Sequence, residues 1–141
     1  MDVMSSVDGG SGGCLCGGVR YKISGKVDGV TFCHCSQCAR TTGHFIAAAH
    51  CATNDLAFES DETLRWYRSS TEAERGFCSR CGGNLFWRRV PASDTIAITA
   101  GSLDRPTGLK GEYHIFCGSK SDYYELGDGL RQYEEWSGKS A

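Results

Sequence analysis

The chain has 141 residues, which fits one domain and leaves little room for a second. Its 40% hydrophobic and 23% charged residues are ordinary for a folded chain, which excludes an intrinsically disordered protein. With a formal net charge of −2 and no long apolar run, it offers neither a cationic surface for nucleic acid nor a membrane span. We therefore expect no nucleic-acid partner and no membrane association.

The first segment is rich in serine, glycine and aspartate, and we predict a flexible leader over residues 1–12. Met1 to Gly13 has no apolar segment of the kind that signal peptides contain. We therefore expect a cytoplasmic protein, in a compartment where cysteines stay reduced and structural disulfides are rare.

Beyond the leader, short runs rich in β-branched and aromatic residues recur about every ten positions, separated by turn formers such as Gly17-Gly18 and Gly82-Gly83. In chain order, the predicted strands are Val19–Ile23, Val30–Cys33, Phe45–His50, Leu56–Phe58, Leu64–Arg68, Arg75–Cys78, Leu85–Arg89, Thr95–Thr99 and Tyr113–Cys117. Helical turns are expected only at Ser36–Thr42 and Asp122–Tyr133. The pattern predicts a mainly β fold with short helical turns.

Nine cysteines are unusual for such a chain, and the odd number excludes complete disulfide pairing. Seven of them form three clusters, which are Cys14/Cys16, Cys33/Cys35/Cys38 and Cys78/Cys81. Structural zinc takes four ligands in a tetrahedron, whereas catalytic zinc keeps three protein ligands and one open position. We therefore predict two zinc ions, a structural one bound by the four cysteines of the two outer clusters and a second one bound by the three middle cysteines.

The middle cluster leaves an alternative open, because a fourth protein ligand would close its metal site. The candidates for that ligand are His34, His44, His50 and Cys51. We expect His34 to point away from the metal, and Cys51 and Cys117 to be buried as small apolar residues. Arg40 follows the cluster by two residues and is a candidate for offsetting the charge of three thiolates.

A three-thiolate zinc with a free position suits thiol chemistry. Zinc favours sulfur ligands, and a thiol that coordinates it loses its proton and becomes a nucleophile. Strong donation from three thiolates weakens the metal as an acid, so we expect it to activate a thiol toward an aldehyde rather than water toward hydrolysis.

The ordered motifs Cys14-x-Cys16-Gly17-Gly18, Cys33-His34-Cys35-x-x-Cys38-x-Arg40 and Phe77-Cys78-x-x-Cys81-Gly82 resemble the glutathione-dependent formaldehyde-activating enzyme family, which includes the centromere protein V domain. Further similar segments are Ala100–Asp104, His114–Phe116 and Ser119-Lys120. The resemblance covers about residues 12–136. It implies an Mss4-like zinc-binding β fold and a single domain over residues 13–137.

The resemblance also implies roles. Cys14, Cys16, Cys78 and Cys81 resemble structural zinc ligands, and Cys33, Cys35 and Cys38 resemble catalytic ones. The implied activity is a carbon–sulfur lyase reaction that joins a glutathione-like thiol to formaldehyde, as in an S-(hydroxymethyl)glutathione synthase. Arg40 and Lys120 are predicted to bind the thiol cofactor, with Arg88 and Arg89 as further candidates. The alternative is a zinc-stabilised binding module without activity. An open coordination position and cations around the pocket favour the enzyme.

Overall fold

The computed structural model describes residues 5–91 and 93–136. Its ten strands are β1 (Ser6–Gly13), β2 (Val19–Cys33), β3 (Ile46–Ala52), β4 (Leu56–Asp61), β5 (Leu64–Arg68), β6 (Ala73–Cys78), β7 (Asn84–Arg89), β8 (Thr95–Thr99), β9 (Gly111–Ile115) and β10 (Arg131–Gln132). Helix α1 covers Ser36–Thr42, and short 3-10 turns lie at Thr53–Asp55, Ala100–Ser102 and Cys117–Ser119. The prediction of a mainly β fold with short helical turns is confirmed.

The strands form one sheet in the order β10-β9-β2-β3-β8-β7-β6-β5, with β1 and β4 paired to β2 away from this path. Strand β2 is 15 residues long and pairs with β1, β3, β4 and β9 along its length. The separate strands predicted at 19–23 and 30–33 are thus the two ends of one strand, because Ser24 to Gly29 stays extended between them.

The core is formed mainly by residues of β2, β3, β7 and β8. Val19, Tyr21 and Ile23 alternate along β2 and are all buried, as expected for a strand with one face in the core. The Tyr21 ring meets Phe86 edge-on, with centroids 5.4 Å apart, and its hydroxyl lies 2.7 Å from the Ser102 hydroxyl. Burial raises the pKa of Tyr21 to about 12.

The prediction of a flexible leader through residue 12 is wrong from residue 6 onward. Residues 6–13 form β1, which pairs antiparallel with β2 from Ser6 opposite Asp28 to Gly13 opposite Arg20. The absence of a side chain at Gly12 permits this pairing, because a Cβ there would overlap the Ser102 carbonyl oxygen and the Tyr21 hydroxyl. Residues 1–4 of the predicted leader lie outside the described residues.

The second predicted helical segment, Asp122–Tyr133, is also wrong. This stretch is irregular apart from a turn at 122–123 and the two residues of β10, which pair in parallel with β9. Its two glycines, one of them Gly129 with a φ of 78°, disfavour a helix.

Candidate metal centres and the cavity between the strands

The sulfur atoms of Cys14, Cys16, Cys78 and Cys81 all lie within 4.8 Å of one another. The Sγ atoms of Cys14 and Cys16 are 3.7 Å apart, and those of Cys16 and Cys78 are 3.6 Å apart. A tetrahedral zinc with Zn–S bonds of about 2.3 Å separates its sulfurs by about 3.8 Å, so this group fits zinc. The distances are much too long for a disulfide, and all nine cysteines are free thiols in the structure.

These four cysteines lie in or next to two similar turns. Cys14 and Cys16 lie in the β1–β2 turn, while Cys78 ends β6 and Cys81 lies in the β6–β7 turn. In each turn the residue after the second cysteine is a glycine with positive φ, 81° at Gly17 and 77° at Gly82. Residues other than glycine rarely adopt this positive-φ conformation, so each turn requires its glycine.

Hydrogen-bond donors reach the sulfurs of Cys14, Cys16 and Cys78. The Thr63 hydroxyl lies 3.1 Å from Cys78 Sγ, and the Arg80 Nε donates to Cys16 Sγ at 3.3 Å. The Thr63 bond, assisted by backbone N–H donors, lowers the pKa of Cys78 to about 5. The pKa of Cys16 is lowered too, first by the Gly18 backbone N–H and then by Arg80. Such donors stabilise the thiolate form that a metal requires.

The second group, Cys33, Cys35 and Cys38, also has its sulfurs within 4.8 Å of one another. Cys33 is the last residue of β2, Cys35 caps α1, and Cys38 is buried in its first turn. The Cys35 Sγ accepts the N–H of Cys38 at 3.3 Å, which is the bond a helix N-cap side chain makes. The group is therefore assembled locally, from a strand end and one helical turn.

Hydrogen bonds among the three thiols couple their pKa values. Hydrogen bonds from Cys33, then Cys38, and from two backbone N–H groups lower the pKa of Cys35 to about 2. The hydrogen bond to Cys35 raises the pKa of Cys33 well above its usual range. A set of three sulfurs with this character fits a zinc ion with one position left for another ligand.

No histidine, aspartate or glutamate joins this group within the described part of the chain, so none of the predicted fourth ligands is in place. The His34 ring faces Tyr124 and His114, and the His44 ring faces the Tyr123 hydroxyl. Cys51 is buried in the hydrophobic core, and His50 lines the neighbouring cavity without reaching the three sulfurs.

A chain of hydrogen bonds holds His34 in place. Its Nδ1 lies 2.6 Å from the Tyr124 hydroxyl, and its Nε2 lies 2.8 Å from His114 Nδ1. The Nε2 of His114 lies 2.8 Å from a carboxylate oxygen of Asp128. With Asp128 as the acceptor at the end, each histidine donates through Nε2 and accepts through Nδ1. The sequence analysis missed this chain, because its members come from three separate parts of the sequence.

The cation beside the three cysteines is Arg75, which the sequence analysis also missed. Arg75 lies on β6 and is 7% exposed; its Nη2 donates to Cys38 Sγ at 3.7 Å and its Nη1 to the Thr41 hydroxyl at 3.4 Å. It forms no ion pair with a carboxylate of the described residues, so the cysteine group is its anionic neighbour. Its spacing of two residues from Ala73 places both on one strand face, which could have indicated that Arg75 is buried but not that it contacts the cysteines.

The cations predicted from sequence lie elsewhere, with one exception. Arg40 is exposed at the end of α1, and Lys120 donates to the carbonyl oxygens of Ser121 and Tyr124 in its own loop. Arg88 pairs with Glu74 at 2.6 Å. None of these three lines the cavity at the three cysteines, whereas Arg89 does.

That cavity has a volume of about 470 Å³ and is lined by all three cysteines of the second group. Its walls also include Arg75 and Thr31, and the Arg75 Nε and Thr31 hydroxyl are buried polar atoms with no hydrogen-bond partner among the described residues. Buried polar groups normally have a partner, which can be a bound molecule. The cavity thus combines an incomplete sulfur set with two unpaired polar groups.

Of the described helices, none is both long enough and apolar enough to cross a bilayer.

Comparison with known proteins identifies a family and several similar proteins. The model of the family described as "Glutathione-dependent formaldehyde-activating enzyme" matches residues 10–119. A Schizosaccharomyces pombe protein named as an uncharacterized lyase is 25% identical over 115 residues, which is 82% of this chain and 83% of that protein. A crystal structure of a Rhodobacter sphaeroides protein is similar with a TM-score of 0.57 and 25% identity, over 72% of this chain and 97% of that chain.

Proposed function

Because this chain belongs to the glutathione-dependent formaldehyde-activating enzyme family, we propose that it is a zinc-dependent carbon–sulfur lyase-type enzyme. Its substrates would be a small, glutathione-like thiol and an aldehyde such as formaldehyde. The lyase name of the yeast relative supports the reaction class. The observation that carries the proposal is the three-cysteine group, which lines a cavity and has no fourth protein ligand among the described residues.

The reaction balances without an oxidant or a reductant. The thiol sulfur forms a bond to the carbonyl carbon, the π bond of the carbonyl breaks, and the thiol proton ends on the new hydroxyl group. The lyase direction reverses each change. The one chemical requirement is therefore a thiol that gives up its proton near neutral pH.

In this proposal Cys14, Cys16, Cys78 and Cys81 bind a structural zinc ion, and Cys33, Cys35 and Cys38 bind a catalytic one. When bound at the second group, zinc supplies Lewis acidity, which lowers the pKa of a thiol that shares its coordination. The free cysteines of the structure suit the reducing cytoplasm, which is where we place this chemistry.

Arg75 supplies the charge balance that an incoming thiolate needs. Three thiolates already outweigh the charge of a divalent cation, and a fourth would add another negative charge in a partly buried site. The guanidinium of Arg75 is buried against Cys38 and offsets that charge. The role predicted for Arg40 thus passes to a residue 37 positions away from Cys38 in the sequence.

The test is binding and turnover by the zinc-loaded protein. We expect glutathione to bind more tightly than S-methylglutathione in calorimetry, because only the free thiol can reach the metal through its sulfur. Carbon-13 NMR with labelled formaldehyde and glutathione should show faster formation of the S-hydroxymethyl adduct with the protein than without it. Both effects should vanish in C38A and persist in C51A, which removes a buried thiol outside both groups. Equal binding of the two ligands, without turnover, would favour the non-catalytic binding module.

A further inference from the structure

The cavity has an aromatic wall that the reaction itself does not require. The wall consists of Trp87, Phe116 and Trp136. Phe116 and Trp136 meet edge-on with ring centroids 4.8 Å apart. Trp136 is 43% exposed although it lines the cavity, so it stands on the side that faces solvent.

Phe116 is held in this wall by a strained backbone. Its φ of 56° makes it the one residue other than glycine with positive φ in the described ranges. Bulky residues rarely adopt this conformation, and it persists where the surrounding structure fixes it, often at functional sites. Here the Phe116 N–H donates to the Glu135 carbonyl at 2.8 Å, which also ties the segment carrying Trp136 to the cavity.

Arg89 provides a charge beside the aromatic wall. Its guanidinium carbon lies 5.8 Å from the Trp87 ring centroid and 6.0 Å from that of Trp136. Arg89 is exposed, and no carboxylate of the described residues forms an ion pair with it. Three other titratable groups besides the cysteines line the cavity. Arg75 is engaged with Cys38, burial lowers the pKa of His50 and so favours its neutral form, and Glu72 would oppose a second carboxylate.

Most of the cavity surface is apolar, with Ile46, Ala97 and Ile115 among the lining, and Arg89 is its one cation without an anionic partner among the described residues. Uncharged polar residues also line it, including Ser36, Gln37, Ser70, Thr99 and Ser119. Glutathione carries two carboxylates, an ammonium and two peptide groups, each of which needs a polar partner when buried. We infer that the preferred thiol of this cavity is instead a monocarboxylate with an apolar or aromatic body. The sulfur faces the three cysteines, the body packs on the aromatic wall, and the carboxylate pairs with Arg89. This inference rests on the proposed function for the role of the sulfur.

The experiment compares ligands that each carry some of the three features, by calorimetry on the zinc-loaded protein. The complete probe is 2-mercapto-3-phenylpropanoate, and 2-phenylethanethiol and 3-mercaptopropanoate each lack one feature of it. We expect the complete probe to bind about tenfold more tightly than either partial probe and than glutathione. The aromatic packing and the carboxylate–Arg89 pair are each the kind of contact whose loss changes the affinity by about this factor.

Two variants assign the contacts. In R89Q the advantage of the complete probe over 2-phenylethanethiol should disappear, while its advantage over 3-mercaptopropanoate remains. In W136A the reverse should hold, and W136F should restore most of the loss. The matched controls are R88Q on the same strand and Y67A, an exposed aromatic residue; neither lines the cavity.

The sulfur-free analogue 3-phenylpropanoate separates this inference from the proposed function. If it binds in an Arg89-dependent way while no thiol gains affinity from its sulfur, the cavity assignment holds and the thiol chemistry is wrong. If glutathione binds as tightly as the complete probe, or if R89Q and W136A weaken all ligands equally, the inference is overturned and the proposed function stands. If no ligand binds, both are overturned.

Discussion

Removing one cysteine from each group should have opposite consequences for folding. Cys81 belongs to the group that joins the β1–β2 turn to the β6–β7 turn, across 62 residues between Cys16 and Cys78. Structural zinc sites contribute about 10 kcal/mol or more, which is comparable to the whole stability of a domain, about 5–15 kcal/mol. We therefore expect C81A to be unfolded or insoluble.

C38A, in contrast, should remain folded. Cys38 is 5% exposed, and the loss of one buried sulfur costs about 1–2 kcal/mol. The group to which it belongs spans residues 33–38, so its metal closes no long loop. We expect C38A to give a cooperative unfolding transition and about one zinc fewer per chain than the wild type.

The assay combines zinc content of the monodisperse fraction, by mass spectrometry, with urea unfolding followed by circular dichroism. C51A is the control, since Cys51 is a buried core residue outside both groups, and it should keep the full zinc content. Equal unfolding of C38A and C81A would refute the reasoning, because it would make the middle group structural as well. A folded C81A with full zinc content would refute it equally.

Three further predictions concern the scaffold. G12A should lower the free energy of unfolding by about 1–3 kcal/mol in urea titrations, because its Cβ would overlap Ser102 and Tyr21. The control G10A should change the free energy of unfolding little, because its Cβ would make an ordinary 3.8 Å contact. Equal effects of the two substitutions would mean that β1 is not docked. Y21F should reduce the loss of stability at high pH. The pKa of Tyr21 in the folded protein, about 12, exceeds the ordinary value of 10, so its contribution to stability is fully present below pH 10. About 2 kcal/mol of this contribution is lost as the pH rises to 12. The same unfolding series at rising pH tests this, and an unchanged slope in Y21F would contradict it. H114L should lower the free energy of unfolding by about 1–3 kcal/mol, because it leaves the His34 Nε2 without its partner. D128N should lower it less, because the Asp128 carboxylate is 44% exposed. The reverse order of stability in thermal unfolding would contradict the hydrogen-bond chain.

The cysteine clusters were predictable because the spacing within each one is local, and the four ligands of structural zinc then pair the two outer clusters. Cys33, Cys35 and Cys38 lie within one turn and a strand end, and the two glycines Gly17 and Gly82 mark equivalent tight turns. Most predicted strands match for a similar reason, since β-branched and aromatic runs between turn formers need no knowledge of tertiary contacts. Leu64–Arg68 and Thr95–Thr99 match to the residue.

The features that the sequence analysis predicted wrongly or missed depend on contacts between residues that are distant in the sequence. The composition of β1 resembles a linker, and its place in the sheet follows from the space that Tyr21 and Ser102 leave beside Gly12. Arg75 becomes a partner of the cysteines only because β6 passes beside α1. The chain from Tyr124 through His34 and His114 joins segments 80 and 90 residues apart, which no spacing rule anticipates.

The same two strands connect both cysteine groups, and this makes their dependence on each other unequal. The N–H of Val19, at the start of β2, donates to Cys14 Sγ, and the strand ends at Cys33. On β6, Arg75 contacts Cys38 and lies only three residues before Cys78, about 10 Å along an extended strand. We therefore expect disruption of the four-cysteine group to release the end of β6 and to displace Arg75 from Cys38. We expect that loss of zinc from the three-cysteine group would leave both strands paired, so that the proposed catalytic position could empty and refill without unfolding the scaffold that shapes it.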